Sequence, residues 1–288
     1  MPKFTIKEFN AKYPDDNACL NEVFKNRYGR LKICPSCDKA TKFFKVSGRK
    51  CYACEFCGYQ VHPLADTIFH KSETSLKSWF YAIFLFSKSK NGVAGKELER
   101  QLGVTYKTAW RMAKQVRLLM KQEEEPLEGE VEMDETYMGG VRPGKRGRGA
   151  AGKTPVFGMV QRKGAIRSMV VPDVKIKTIM PIVLSTVKEG STISTDEGNN
   201  FNRLKESGYG HETVKHGKGE YVRGLVHTQT IDGFWSQLKR SINGTYHAVS
   251  PKHLQSYVDE FSYRYSKRGL PSLFEPMIAR AVKPILSV

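Results

Sequence analysis

Apolar positions along this chain keep one rhythm up to about residue 120 and another beyond it. Residues 75–86 carry Leu76, Trp79, Phe80, Ile83 and Phe84 at the three-and-four spacing of a helix, which predicts a core helix. Residues 95–120 keep that period but break at Gly103, and Thr105 stands where a second helix would be capped. Leu98, Leu102, Val104, Ala109 and Trp110 would pack the two helices together, leaving Tyr106, Lys107 and Arg111 on the outer face of the second. The pattern predicts a helix-turn-helix, whose second helix enters a major groove; the plain alternative is a helical hairpin with a solvated face. Glu123-Glu-Glu-Pro126 then breaks the helix and marks a linker.

From residue 129 the rhythm turns to alternation. Residues 131–137, 154–161 and 166–171 predict strands, the last two joined by a turn at Lys163-Gly164. A helix over 178–187, a buried strand over 192–195, a short helix over 200–206 and a strand over 212–215 follow. Helices over 228–242 and 251–267 complete the set, the last with Leu254, Tyr257, Val258, Phe261 and Tyr265 on one face. This order is that of an α/β, ribonuclease-H-like fold. The expected organisation is an N-terminal segment with a zinc ribbon (1–72), a helical helix-turn-helix region (73–122) and a ribonuclease-H-like domain with C-terminal helices (123–288).

Cysteine spacing supplies the ribbon. Five of the six cysteines fall between positions 34 and 57, as Cys34-Pro-Ser-Cys37 and Cys54-Glu-Phe-Cys57 with sixteen residues between them. Two tight turns at that distance can point four thiolates at one tetrahedral, structural Zn²⁺. Cys51-Tyr-Ala-Cys54 has the same spacing, but Gly58 favours Cys54 and Cys57 as the second knuckle.

The formal charge of +18, from 47 basic and 29 acidic residues, favours a polyanionic partner. No apolar run approaches the roughly 20 residues of a spanning helix, so membrane partners are not expected. The first residues lack the apolar core of a secretory signal, and the chain is read as cytoplasmic. Against this basic background, Asp134 and Asp196 end up on the first and fourth strands and Asp232 near the start of a late helix. Lys239 lies two turns further on the same face as Asp232. In a ribonuclease-H-like fold those three places converge, and three carboxylates there can hold two Mg²⁺ or Mn²⁺ ions for phosphodiester chemistry. Lys239 would hold a phosphate beside them. Glu132 shares a strand face with Asp134 and is an auxiliary candidate. The glycine-rich basic stretch 139–149, with Arg146 and Arg148, is expected to contact DNA backbone, as is Arg240. No nucleotide-binding phosphate loop is present, so no nucleotide cofactor is expected.

On these residues the chain resembles bacterial insertion-sequence transposases with an N-terminal zinc ribbon and a DDE-type domain, a group related to the Merlin transposases. Matching stretches include Cys34-Pro-Ser-Cys37, Tyr52-Ala-Cys54, Thr67-Ile-Phe-His70, Val131-Glu-Met-Asp-Glu-Thr136, Ser194-Thr-Asp196, His227-Thr-Gln-Thr-Ile-Asp-Gly-Phe-Trp235 and Gly244-Thr-Tyr-His247. The resemblance implies binding of double-stranded DNA at terminal inverted repeats, metal-dependent cleavage, strand transfer of a 3′-hydroxyl, and a homo-dimer or higher assembly on DNA. Two positions depart from the pattern: family members usually carry glutamate at Asp232, and bacterial relatives often carry asparagine at Gln229. Either Gln229 or Asp232 completes the catalytic set. The alternatives are an inactive, transposase-derived DNA-binding protein and a nuclease without strand transfer.

Overall fold

The computed structural model describes residues 4–139, 152–196, 204–213 and 227–284. The chain forms two compact units, one of Met1–Ser89, Gly95–Leu119 and Leu270–Val288, the other of Lys90–Ala94 and Met120–Gly269.

In the first unit, helix α1 (Ile6–Lys12) opens with a capping box in which Thr5 and Glu8 each accept from the other's amide. Helix α2 (Asp16–Tyr28) is capped by Asp15, whose carboxylate accepts from Ala18 N at 2.8 Å. Hydrophobic periodicity did not announce these two helices; the Thr-x-x-Glu and Asp15 caps were the signals available. Strands β1 (Phe43–Lys45), β2 (Tyr52–Cys54) and β3 (Gln60–Val61) form a small antiparallel sheet in that order. The Phe24 ring of α2 stacks on Tyr52 of β2 with centroids 3.9 Å apart, which fixes the ribbon to the helix.

Helix α3 (Leu76–Lys88) buries Leu76, Trp79, Phe80, Ala82, Ile83, Phe84 and Phe86, so it is apolar nearly all round and runs through the core. Helix α4 (Gly95–Leu102) stops at Gly103, whose φ of +63° is the left-handed helix end that glycine adopts without strain. Helix α5 (Tyr106–Leu118) starts at Thr105, whose hydroxyl accepts from Thr108 N. Its buried stripe is Ala109, Met112, Ala113 and Val116. Trp110 corrects the sequence expectation. One residue off that stripe, it turns outward and is 38% exposed, sharing the outer face with Tyr106.

The second unit is built on a five-stranded mixed sheet. Its strands are β4 (Glu130–Met138), β5 (Thr154–Gln161), β6 (Ile166–Val170), β7 (Thr192–Thr195) and β8 (Gly210–Thr213), in the order β6-β5-β4-β7-β8. The first three pair antiparallel, while β7 runs parallel to β4, and β8 runs parallel to β7. Helix α6 (Ile176–Thr186) covers one face through Ile179 and Val183, which pack with Val131, Met133, Phe157 and Ile193. Helices α7 (Gln229–Ser241) and α8 (Pro251–Ser266) cover the other through Ile231, Trp235, Leu238, Val258 and Phe261. The expected helix over 200–206 lies partly outside the described residues; 204–207 form a single tight turn. The expected strand over 212–215 begins earlier, at Gly210, and its last two residues also lie outside.

Two segments differ from the expected organisation. The acidic stretch after α5 is no slack linker: Gln122 bonds Ser168 through both its amide oxygen and nitrogen, and Lys267 pairs with Glu123 at 2.7 Å. Helix α9 (Phe274–Ala281) belongs with the first unit and not with the residues from 123 onward. Its stripe of Phe274, Met277, Ile278 and Ala281 is buried, and the Phe274 ring packs against Phe9, Tyr13, Phe80 and Phe84.

Candidate active site and metal centre

Two turns of matching geometry bring the thiols together. Asp38 N donates to Cys34 O at 3.0 Å, and Gly58 N to Cys54 O at 3.1 Å; both turn residues have left-handed φ values, 54° and 71°. Cys34 Sγ lies 3.6 Å from Cys57 Sγ and Cys37 Sγ 3.9 Å from Cys54 Sγ, and all four sulfurs fall within 4.8 Å of one another. Burial alone would raise the Cys54 thiol, but bonds from Thr41 and from the Cys57 and Phe56 amides pull it down to about 6. Four thiols at this spacing fit Zn²⁺. Cys51 is left out; its buried Sγ lies 3.4 Å from Gln60 Oε1.

The acids gather in the second unit. Strand alternation on β4 sends Val131 and Met133 to the α6 face, and Glu132 and Asp134 to the α7 face. Ser194 of β7 pairs with Glu132, so Asp196 follows its strand as Asp134 follows Glu132, and the two aspartates occupy equivalent places on neighbouring strands. Asp232 stands in the first turn of α7, where Thr228 Oγ1 donates to it at 3.3 Å. Burial lifts the Asp134 carboxyl to about 7, and the nearby charges of Asp196, Glu135 and Asp232 push the same way. Trp235 Nε1 donates to Asp134 Oδ2 at 3.0 Å. The indole reaches there because Gly158, the cross-strand partner of Asp134, has no side chain; a Cβ would sit 2.6 Å from two ring carbons of Trp235.

Glu132 proves to be a structural acid. Wholly buried, it accepts from Thr230 N at 2.8 Å, Ile231 N at 3.1 Å, Thr230 Oγ1 at 2.7 Å and Arg162 Nε at 2.8 Å. It therefore caps α7, whose own N-cap Thr228 makes no side-chain cap, and a carboxylate at the positive end of a helix is favourably placed. Asp259 is likewise committed, accepting from Gln122 and Gln255.

The remaining sequence candidates are distributed as follows. Gln229 is exposed at the start of α7, three residues before Asp232; Lys239 and Arg240 are exposed in its last turn. Three oxygen donors of like charge are a chemically apt set for Mg²⁺ or Mn²⁺. Among the described residues, the cysteine group is the one set whose ligand atoms all lie within 4.8 Å of one another. Tyr106 and Lys107 are exposed on α5. Arg111 is exposed but directed back onto the protein, donating to Ser72 Oγ at 3.2 Å and lying over the Trp79 ring. Periodicity missed Trp110 and Lys114 on that outer face, where the ammonium sits 5.9 Å from the indole centroid. Arg146 and Arg148 lie outside the described residues. Among the described residues, no helix is long and apolar enough to cross a membrane.

Residues 14–60 match the family model of a transposase zinc-ribbon domain, and residues 126–266 that of an ISXO2-like transposase domain. A protein of the transposable element ISH50 from Halobacterium salinarum is 27% identical over 271 residues, covering 88% of this chain and 91% of the relative. A transposase-like protein of Haemophilus influenzae is 24% identical over 110 residues, 38% of this chain and 88% of that one. A chain of the simian T-cell lymphotropic virus intasome, solved with a PP2A regulatory subunit, aligns over 64% of each chain at 10% identity and a TM-score of 0.32, too slight a likeness to carry weight. With four clustered thiols in the first matched region and the acid-bearing mixed sheet in the second, the chain belongs to the insertion-sequence transposases that join this zinc ribbon to an ISXO2-like transposase domain.

Proposed function

We propose that the chain is an active, metal-dependent DNA transposase that binds double-stranded element ends, cleaves them and transfers a 3′-hydroxyl to target DNA. The observation that carries this reading is the gathering of acids on the α7 side of the sheet, where burial first and then the charges of Asp196, Glu135 and Asp232 lift Asp134 to about 7. Such a cluster in a chain of formal charge +18 is suited to a cation and a polyanion together. The strand order, with acids on the first and fourth strands and on a later helix, supports a ribonuclease-H-like catalytic fold.

In this reading Asp134, Asp196 and Asp232 hold the divalent ions, which supply charge neutralisation at the scissile phosphate and a more acidic attacking hydroxyl. Lys239 binds a neighbouring phosphate, and Gln229 flanks Asp232 on the strand's path. Trp235 holds one oxygen of Asp134, leaving the other directed to the ions. Helices α4 and α5 act as a helix-turn-helix, with Tyr106, Lys107 and Trp110 towards DNA, and Arg240 adds a backbone contact. The protein works in the cytoplasm on chromosomal DNA, as a homo-dimer or larger assembly.

A plasmid carrying the element ends tests this. Wild-type protein with Mg²⁺ or Mn²⁺ should release a free 3′-hydroxyl at the ends and join it to target, and Asp134→Asn or Asp196→Asn should not. A second reading, a DNA-binding protein that no longer cleaves, is favoured by the departures from the family pattern at Gln229 and Asp232. Specific binding without nicking under either metal would establish it.

A further inference from the structure

A cavity of about 290 Å³ opens in the second unit, lined in part by Tyr137, Lys153, Lys239, Asn243, His247 and Leu254, of which Tyr137 shares β4 with Asp134 and Lys239 shares α7 with Asp232. No acidic residue lines it among the described residues, so it suits an anion and not a cation. It lies at the small end of ligand clefts, which span roughly 300–1,000 Å³.

One wall of this cavity is made of backbone that proteins seldom adopt. Residues Ile242–Tyr246 continue α7 as a single π-helical turn. His247 then has φ 60° and ψ −50°, and Ala248 N donates to Tyr246 O at 2.7 Å, which makes a γ-turn of the strained, positive-φ kind. A non-glycine residue held so is strained and persists only where its surroundings enforce it. Tyr246 enforces it. Its hydroxyl donates to the fully buried Glu260 at 2.9 Å and accepts from Val93 N at 3.1 Å. Arg264 in turn holds Glu260 at 2.7 Å. Gly92 leaves space for this anchor, since a Cβ there would lie 1.9 Å from the Tyr246 hydroxyl. Asn243 and His247, on either side of this anchor, are themselves exposed. What the strained turn achieves is to bring an imidazole and an amide to the same cavity as two ammonium groups.

We propose that this cavity is a nucleotide subsite, holding one nucleotide of the DNA strand that adjoins the phosphate addressed by the acids. Lys153 and Lys239 take its phosphate, and Tyr137, Asn243 and His247 face its base and sugar. The assignment of the strand rests on the transposase reading above, whereas the binding itself does not need catalysis.

The test uses the full chain in EDTA with 5-iodo-2′-deoxyuridine 3′,5′-bisphosphate as a photo-crosslinking probe, and adducts mapped by mass spectrometry. The expected result is an adduct on Tyr137 that falls at least tenfold in Lys153→Ala and fivefold in His247→Gly. His247→Gly relieves the positive φ, so it should melt no lower than wild type, and a loss of labelling is then a loss of the site. Adducts confined to other regions, or labelling unchanged in both variants, would overturn the proposal. So would competition by inorganic phosphate equal to that of unlabelled thymidine 3′,5′-bisphosphate, since the site would then recognise an anion alone. Because no metal is present, a protein that never cleaves DNA can still pass this test, and an active one can still fail it.

Discussion

Trp235 donates its indole N–H to Asp134 across a slot that exists only because Gly158 lies opposite Asp134 on β5. The ring and the carboxylate come from elements 101 positions apart, so the bond fixes helix α7 and strand β4 relative to each other at the place where the acids meet. Groups that orient a ligand usually matter nearly as much as the ligand.

Trp235→Phe keeps the ring in its slot and removes the donor. Apparent affinity for Mn²⁺ should fall about 10–100-fold, with DNA binding in EDTA unchanged. Gly158→Ala should reproduce the defect and lower the melting temperature as well, because its Cβ displaces the ring. Calorimetric Mn²⁺ titrations check both; equal affinity in Trp235→Phe and wild type would remove the indole from the site.

Asp134→Asn should abolish cleavage and yet stabilise the metal-free protein. The folded carboxyl titrates at about 7, against about 3.9 in an unfolded chain. Between those values the native state holds a proton that the unfolded state has released, so native stability falls as pH rises through this window. Asparagine removes that loss. Its advantage should be absent near pH 4, grow to roughly 1–3 kcal/mol by pH 7 and level off above. Denaturant melts across pH measure it, and Mn²⁺ should reverse the ranking at neutral pH by stabilising only the wild type.

Glu132→Ala should be among the most damaging single changes in the second unit. It leaves the Arg162 guanidinium and two α7 amides without their buried acceptor, a loss of about 3–5 kcal/mol for a broken buried pair. Glu132→Gln retains one accepting oxygen and should cost less. Chemical unfolding separates the two, and a mild Glu132→Ala would show that α7 is held by its apolar face alone.

Chelation should remove one zinc per chain and loosen the ribbon, as should Cys34→Ser or Cys57→Ser. Cys51→Ser should retain a full equivalent of metal, since that thiol faces Gln60. Metal analysis of purified variants decides; a zinc-free Cys51→Ser protein would move the second knuckle.

On α5, Lys107→Ala should weaken binding to duplex DNA and reduce the salt slope by about one counterion. Arg111→Ala should act mainly on stability, because its guanidinium is already engaged with Ser72 and Trp79. Binding isotherms at several salt concentrations, beside melting curves, distinguish these effects.

The sequence was most legible where a local pattern carries the information. The strand 192–195 was read with its observed ends, because a β-branched run lies between Gly190 and Asp196. Helix α7 was placed within one residue at each end. Helices α1, α2 and α9 escaped because α1 and α9 span only seven and eight residues and α2 buries just Cys19, Leu20 and Val23. Glu132 was assigned to the correct face, but alternation cannot say that a helix starting 98 residues later will rest its amides on it. Trp110 was misplaced for a related reason. Its size suggested burial, whereas the stripe through Ala109, Met112 and Val116 had already filled the interior.

The packing of Phe274 among aromatic rings near the start of the chain makes the main body of the acid-bearing unit, Met120–Gly269, an insertion between segments of the first. Loss of α9 would therefore spare Asp134, Asp196, Asp232 and every cysteine, and still strip Phe9, Phe80 and Phe84 of a core partner. Damage to α9 is thus felt by the unit that carries the cysteines rather than by the unit that carries the acids.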